Sequence, residues 1–333
     1  MDAKASVHQA TAKPSGRARL LKLLPNNIGG PLIGLALLVL VFSFSSEFFF
    51  SLRNGLNILD QVTVLGILAI GMTAVIVIGG IDLSVGSVLA LAAAVVSVAT
   101  LGFGWGIVPA ALLGMACAAL AGSVTGIITV AWGIPSFIVS LGVLEMARGL
   151  AYQLTDSRTA YIGDAYAWLS TPFAAGISPS FVIALLVIAA AHLLLTRSVF
   201  GRYLVAIGTN EEAVRLAGIN PKPYKVSVFA LMGLLAGLAA LFQISRLEAA
   251  DPNAGSGLEL QVIAAVVIGG TSLMGGRGSV ISTFFGVLII SVLAAGLAQI
   301  GASEPTKRII TGAVIVVAVI LDTYRSYRAK RRG

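Results

Sequence analysis

The chain has 333 residues, of which 57% are hydrophobic and 11% charged, and its formal net charge is +8. Several stretches approach the twenty or so apolar residues that span hydrocarbon and are apolar on every face, which excludes a soluble α/β enzyme. The basic residues cluster beside these stretches without interleaved aromatic residues, so they indicate contact with anionic lipid rather than nucleic acid.

In chain order, the pattern predicts a basic tail over 1–28, a transmembrane domain over 29–324 and a second basic tail over 325–333. The predicted fold class is an all-α polytopic membrane protein with about ten transmembrane helices. The predicted spans are 30–50, 58–79, 84–101, 107–130, 136–155, 179–197, 226–246, 259–275, 279–300 and 307–323.

The positive charges predict the orientation. Both tails are rich in Lys and Arg, so both are expected in the cytoplasm, and an even number of spans agrees with that. The same count places the polar loop 198–225 in the cytoplasm. Cys117 is the only cysteine and lies within a span, so a disulfide framework is excluded.

Small residues recur inside the spans. In the fourth span Gly114, Ala118, Gly122 and Gly126 are spaced four residues apart, which draws one smooth stripe along a helix. Such a stripe predicts close helix packing in a membrane and carries no information about a substrate.

Two glycine clusters predict helix breaks at the membrane edge: VIGGIDLSVGS over 77–87 and VIGGTSLMGGRGS over 267–279. Asp82 or Ser84 is expected to cap the third span, and the glycines around Arg277 are expected to leave backbone amides open. The shared string IGG is too short to establish a duplication. The helix-break residues are Gly79, Gly80, Asp82, Ser84, Gly269, Gly270, Gly275, Gly276, Arg277 and Gly278.

Few polar side chains lie within the predicted spans. Glu145 and Arg148 share one helix face, and because a charge inside the bilayer is costly, they are predicted to pair and face the bundle interior. The pair has either a structural role or a role in translocation or gating. Further candidates for the pathway, or for hydrogen bonds between helices, are Asn57, Gln61, Gln243 and Gln261.

The polar loop contains signals for one short helix. Thr209 and Glu212 predict a capping box, Glu211 and Arg215 an ion pair at four-residue spacing, and Gly218 a stop. Two helical turns are too short to cross a bilayer and too short to be stable alone, so the helix is expected to bind a partner.

Motifs for catalysis or nucleotide binding are absent from the sequence. It contains no GxxxxGK[ST], HExxH or GxSxG, and its two histidines have no partner spacing. The chain is therefore expected to hold no catalytic residue, no metal and no ATP of its own.

Four segments together resemble the permease subunits of bacterial ABC importers for monosaccharides, of the ribose, xylose, arabinose and galactoside type. The segments are GMTAVIVIGGIDLSVGS, IPSFIVSLGVLEMARGLAY, AIGTNEEAVRLAGI and GGTSLMGGRGS. The resemblance covers nearly the whole chain. It implies an inner-membrane permease that pairs with a second permease subunit, docks a cytoplasmic ATPase carrying ATP and Mg²⁺, and receives sugar from a periplasmic binding protein.

By this resemblance, the helix from Asn210 to Ala217 is the coupling helix that rests on the ATPase. Glu211 and Arg215 are expected to contact or steady the docking face, and Ala213 and Leu216 to insert apolar contacts. The implied coupling residues are Thr209, Asn210, Glu211, Glu212, Ala213, Arg215, Leu216 and Gly218.

Two alternatives remain open from the residues. One is an ABC permease for another polar solute, such as a nucleoside or a branched-chain amino acid, since architecture alone does not select the solute. The other is an ion-coupled secondary transporter or channel, which needs carboxylates at mid-depth; only Glu145 offers itself.

Overall fold

The structure is a computed structural model and describes residues 29–173 and 176–330. The predicted tail 1–28 and residues 331–333 lie outside the described residues. The described chain forms α1 (Gly29–Ser45), α2 (Leu52–Val77), α3 (Val85–Ser97), α4 (Ile107–Trp132), α5 (Ser136–Leu154), α6 (Pro179–Arg197), α7 (Val199–Thr209), α8 (Glu211–Leu216), α9 (Lys222–Leu247), α10 (Leu258–Ile268), α11 (Val280–Gln299) and α12 (Glu304–Lys330).

The described chain also contains four smaller elements. A π-helical turn, Val98–Gly102, extends α3, and a 3₁₀ helix, Gly163–Leu169, follows α5. The strands β1 (Ala160–Tyr161) and β2 (Ala249–Ala250) pair antiparallel, with Ala160 opposite Ala250. We call this side of the bundle the strand end and the opposite side, where α8 lies, the α8 end.

The helices confirm an all-α polytopic membrane protein. Within the described chain, seven helices are long and apolar enough to cross a membrane: α2, α3 with its π-helical turn, α4, α5, α6, α9 and α11. The shorter helices α1 and α10 are also apolar, and the last predicted span lies within α12. Each of the ten predicted spans therefore corresponds to a helix. α12 runs on to Lys330, so it passes the predicted domain boundary at 324 without a break.

Several helices begin where a serine satisfies a free backbone amide. Ser51 accepts a hydrogen bond from the backbone amide of Asn54 before α2, and Ser178 accepts one from Phe181 before α6. Ser279 does the same before α11. A capping side chain replaces the intrahelical partner that the first turn lacks, so these residues fix the helix starts.

The core contains α2, α3, α9 and α11. α2 packs against α9, α11, α6 and α10. The predicted small-residue stripe on α4 packs against α9: a Cβ atom on Gly122 would lie 2.2 Å from the carbonyl oxygen of Phe229, and one on Gly233 would lie 2.1 Å from that of Ala118. The close packing that the stripe predicts is confirmed.

Two non-helical segments interrupt the bundle. Residues 80–84 separate α2 from α3, and residues 251–257 precede α10. The amides of Ile81 and Leu83 donate to the hydroxyls of Ser136 and Ser140 on α5, at 2.9 and 3.0 Å. The first segment thus runs along α5 into the bundle instead of turning at the membrane edge as predicted.

The second segment also lies at depth. Arg148, on α5, donates through Nη1 to the carbonyl oxygens of Pro252 and Ala254. Arg148 follows Ser136 by three helical turns, so this contact lies about 18 Å along α5 from its start. The two segments meet where α3 and α10 begin, because a Cβ on Gly86 would lie 2.2 Å from the carbonyl oxygen of Gly255.

α2 and α10 end in the same way. Gly79 after α2 (φ +78°) and Gly270 after α10 (φ +85°) adopt the left-handed conformation that only glycine takes without strain. Gly79 is the first glycine of its pair and Gly270 the second, so the shared string IGG does not mark equivalent positions. The predicted span 259–275 is wrong at its end, since Gly269 and Gly270 stop the helix at Ile268.

Candidate functional site

The polar loop contains two helices. α8 occupies the predicted position, and α7, for which the sequence pattern gives no prediction, precedes it directly. Ser198 separates α6 from α7 and caps α7, since its hydroxyl accepts from the amide of Gly201 at 3.0 Å. α7 therefore connects a membrane helix to α8 without a flexible linker.

The start of α8 differs from the prediction. Asn210 has an extended backbone, and its Oδ1 accepts a hydrogen bond from the amide of Ala213 at 3.0 Å, so Asn210 is the cap. The capping box of Thr209 and Glu212 is wrong because Thr209 is the last residue of α7. Its hydroxyl donates to the carbonyl of Val205 at 2.8 Å.

The end of α8 confirms the predicted stop at Gly218. Gly218 has φ +82°. Its amide donates to the carbonyl of Arg215 at 3.0 Å, and the amide of Ile219 donates to that of Val214 at 3.2 Å. This pair of bonds is a Schellman motif, which satisfies carbonyls that the helix end leaves free.

The ion pairs of α8 also differ from the prediction. Glu211 and Arg215 do not pair; Arg215 binds Glu212 at 2.7 Å, and Glu211 binds Lys225 on α9 at 2.8 Å. Both glutamates are well exposed, so each pair contributes at most about 1 kcal/mol to stability. The pair with Lys225 still ties α8 to the first turn of α9.

α8 has one buried and one exposed face. Val214 is buried against the bundle, whereas Leu216 is 80% exposed and Ala213 is exposed beside it. A cavity of about 590 Å³ lies between α8, the start of α9 and the end of α4, and Glu211 and Arg215 line it. Val214 thus anchors α8 to the bundle, and the Leu216 side chain is exposed on the face away from the bundle.

Both predicted helix breaks and α7 meet at one point, which we call the glycine junction: Val77–Gly79, Gly208–Thr209 and Gly275–Gly276. The amide of Gly276 donates to the carbonyl of Val77 at 2.9 Å. A Cβ on Gly208 would lie 1.7 Å from that same carbonyl oxygen, and one on Gly275 would lie 2.8 Å from the carbonyl oxygen of Gly208. The three backbones therefore touch with no side chain between them.

The glycine cluster around Arg277 is not the open connector that the sequence suggested. The amides of Gly275 and Gly276 both donate hydrogen bonds, to Ser272 and Val77. A Cβ on Gly278 would lie 2.5 Å from a methyl group of Val77. The Arg277 side chain itself is exposed at this end of the bundle.

Neither Asp82 nor Ser84 caps α3 with its side chain, contrary to the prediction. Asp82 is buried and accepts from both the amide and the hydroxyl of Ser84, at 2.9 and 2.6 Å. Ser84 makes no capping hydrogen bond to the first turn of α3. The two residues instead hold the non-helical segment in a tight turn.

The predicted pair of Glu145 and Arg148 is wrong as well. Arg148 binds the carbonyls of the 251–257 segment, as described above, and Glu145, three residues earlier on α5, is exposed and does not form an ion pair with it. Arg148 therefore holds a non-helical segment in place.

The candidate pathway amides cluster at two neighbouring cavities. Gln61, Gln243 and Gln261 line one of about 460 Å³, and Asn57 lines the other, of about 480 Å³. Gln61 borders both. Glu145 and Arg148 line neither of these two cavities.

Comparison with known proteins agrees with this architecture. Residues 54–319 match the family described as the branched-chain amino acid transport system, permease component. The chain belongs to this permease family. It is accordingly a transport subunit and not an enzyme, and the family places it in an importer whose ATPase and solute-binding protein are separate chains.

Individual permeases are similar along nearly their whole length. The chain is 42% identical over 301 residues to the ribose import permease RbsC of Haemophilus influenzae, with 88% of the chain and 92% of that relative covered. It is 40% identical over 296 residues to RbsC of Escherichia coli K12, with 87% and 92% covered. It is 32% identical over 308 residues to the fructose import permease FrcC of Rhizobium meliloti, with 88% and 84% covered. No solved structure matches the chain.

Proposed function

We propose that the chain is the permease subunit of an ATP-driven sugar importer in the bacterial inner membrane. The similar permeases named above are named for ribose and fructose import, which favours a monosaccharide over a branched-chain amino acid or a nucleoside. ATP and Mg²⁺ are assigned to the separate ATPase because the phosphate-binding sequence GxxxxGK[ST] does not occur in the chain. A second copy of the chain is proposed to complete the permease.

The proposed coupling device is α8 together with the glycine junction. The observation that carries it is the pairing of an exposed Leu216 with a helix that is fixed at both ends, by the Asn210 cap and the Gly218 motif. An exposed leucine at the tip of a rigid element is suited to fill an apolar pocket on a partner. Force applied to α8 passes through α7 to Gly208, which touches the ends of α2 and the 275–276 turn.

Closure of the ATPase dimer is then expected to shift α8 and α7 as one unit. Because Gly208 and the carbonyl of Val77 are in direct backbone contact, α7 cannot move towards α2 without displacing the end of α2. α2 lines both polar cavities through Gln61. The proposed chain of contact thus runs from the ATPase to the region where a solute passes.

The docking role is tested with Leu216→Ala in the full-length permease, held in lipid nanodiscs with its own ATPase. Loss of a central apolar anchor is expected to weaken ATPase binding about tenfold. The thermal midpoint should not change, since the side chain is mostly exposed. Leu186→Ala, on the exposed surface of α6, is the matched control and should bind normally. Unchanged ATPase affinity for Leu216→Ala would refute the docking role.

A further inference from the structure

One of the two polar cavities lined by Gln61 lies between α2, α9, α10 and α11. Its volume is about 460 Å³, and it is lined by carboxamides from three helices, Gln61, Gln243 and Gln261. Asn253 and Ser256 of the non-helical segment complete one wall. This size lies within the range of small-molecule sites, which combine apolar walls with a few convergent polar groups.

The cavity wall has unused hydrogen-bonding capacity. Among the described residues, none of the three glutamine carboxamides makes a side-chain hydrogen bond, although each offers two donors and an acceptor. Ser291 on α11 also lines the cavity; it is 1% exposed, and its hydroxyl is buried without a partner. A buried hydroxyl of this kind normally has a partner, so a ligand or water in the cavity is the group that would supply it.

The backbone conformation of the cavity wall also favours a solute site. Residues 251–257 are non-helical and lie at the depth of Arg148, whose guanidinium holds the carbonyls of Pro252 and Ala254. Non-helical backbone at membrane depth is found where it is buried in protein or lines a polar cavity. Transporters use such broken helices to place their solute sites.

The chemistry of the wall selects a class of solute. The described lining contains amides, hydroxyls and the guanidinium groups of Arg246 and Arg308, but no Asp or Glu. A zwitterionic amino acid would leave its ammonium group without a carboxylate partner, which is unfavourable. A neutral polyhydroxyl solute can exchange hydrogen bonds with every polar group present. Among the described residues, no aromatic ring lines the cavity for a sugar to stack on, which suits a site that must release its solute.

We propose that this cavity is a weak binding site for a neutral monosaccharide in transit, held by Gln61, Gln243, Gln261 and the hydroxyl of Ser291. The inference rests on the proposed function of the chain as a sugar permease. Beyond that function, the inference names the cavity that binds the sugar within the subunit and the side chains that bind it.

The first test removes the Ser291 hydroxyl with Ser291→Ala. The full importer, with its own ATPase and binding protein, is reconstituted in vesicles, and import of D-ribose and D-fructose is measured per ATP hydrolysed. We expect import per ATP to fall about fivefold, the effect of one hydrogen bond in the pathway. ATP hydrolysis stimulated by the binding protein should stay within about twofold of wild type, because the α8 end is unchanged. Gln243→Leu is expected to act in the same direction.

Ser282→Ala is the matched control. Ser282 lies on the same helix, is also 1% exposed and also has an unpartnered buried hydroxyl, but it does not line the cavity. It should leave import per ATP unchanged. Equal import by Ser291→Ala, Gln243→Leu and wild type, or equal losses in Ser291→Ala and Ser282→Ala, would overturn the site.

A second test separates the site from the proposed function. In a Cys117→Ala background, Ala294→Cys, at a lining residue that is not one of the proposed binding groups, is labelled with a water-soluble maleimide in membranes that contain the permease. D-ribose or D-fructose should slow labelling at Ala294→Cys and leave the exposed control Gln153→Cys unaffected. No protection by either sugar overturns the site. Failure of the wild-type importer to take up either sugar with ATP counts instead against the proposed function, and the labelling result still decides the site.

Discussion

Gly208→Ala is the sharpest test of the glycine junction. The added methyl group would lie 1.7 Å from the carbonyl oxygen of Val77 and 2.6 Å from the amide nitrogen of Gly276. Both atoms belong to the backbone, so no side-chain rotation relieves the contact. α7 must therefore separate from the end of α2 by roughly 1.5 Å to restore an ordinary carbon–oxygen distance.

The cost follows from two effects. Overpacking a tight contact costs about 1–3 kcal/mol. The added methyl group also crowds both ends of the 2.9 Å hydrogen bond from Gly276 to Val77, and an unsatisfied buried donor costs about 1–3 kcal/mol more. We expect a total loss of about 2–6 kcal/mol in the free energy of unfolding. With an unfolding entropy of about 2.1 cal/mol/K per residue over 333 residues, this lowers the thermal midpoint by about 3–9 °C.

The assay is thermal unfolding of the purified permease in lipid nanodiscs, together with sugar-stimulated ATP hydrolysis by the assembled importer. Gly142→Ala is the control: Gly142 lies in helix α5, and a Cβ there would have no neighbour within 4 Å. This control should be as stable as wild type or more stable by up to about 1 kcal/mol. A Gly208→Ala permease with wild-type midpoint and coupling would refute the account of the junction.

Two further pairs of variants test the revised contacts. Asn210→Ala should destabilise α8 by about 1 kcal/mol, seen as faster amide hydrogen exchange there, whereas Thr209→Val should not; equal exchange in both variants would contradict the cap assignment. Arg148→Ala leaves two buried carbonyl oxygens without their donor and should lower the thermal midpoint by the equivalent of about 1–3 kcal/mol. Glu145→Gln, on the exposed side of α5, should unfold like wild type; an equal loss in both would restore the ion-pair hypothesis.

The membrane fold could be predicted from hydropathy because long apolar runs have few alternatives to a transmembrane helix. A helix end can be predicted from the sequence where one residue terminates the helix. Gly218 terminates α8 because its backbone is left-handed. The prediction of Thr209 as the cap is wrong because it followed the capping-box spacing from Thr209 to Glu212, although the adjacent Asn210 has the higher capping preference. The existence of α7 decided between the two, since that helix includes Thr209.

The sequence predicts a helix break at 77–87 and a connector before the span at 259, but it does not predict that these non-helical segments lie within the bundle. Residues 80–84 and 251–257 border apolar runs, and hydropathy does not distinguish an extended chain from a helix inside a protein. What stabilises them is distant in sequence: Ser136 and Ser140 for the first, and Arg148 for the second. The same applies to Arg148 itself, whose partners are backbone carbonyls that no side-chain pattern reveals.

The glycine junction shows the same limit. The sequence predicts helix breaks at Gly79 and Gly276 and gives no signal at Gly208. The contact between the three depends on how α2, α7 and α11 are arranged. Spacing along one helix predicts a packing face, as it did for α4. It does not predict that the ends of α2 and α7 and the 275–276 turn contact one another.

Uphill uptake by reconstituted vesicles tests the central claim most directly, that α8 transmits work from a separate ATPase. Vesicles containing the permease, its ATPase, its binding protein and ATP should accumulate D-ribose or D-fructose, and vesicles containing the permease alone should not, with or without an ion gradient. Accumulation against a gradient by the permease alone would contradict the account.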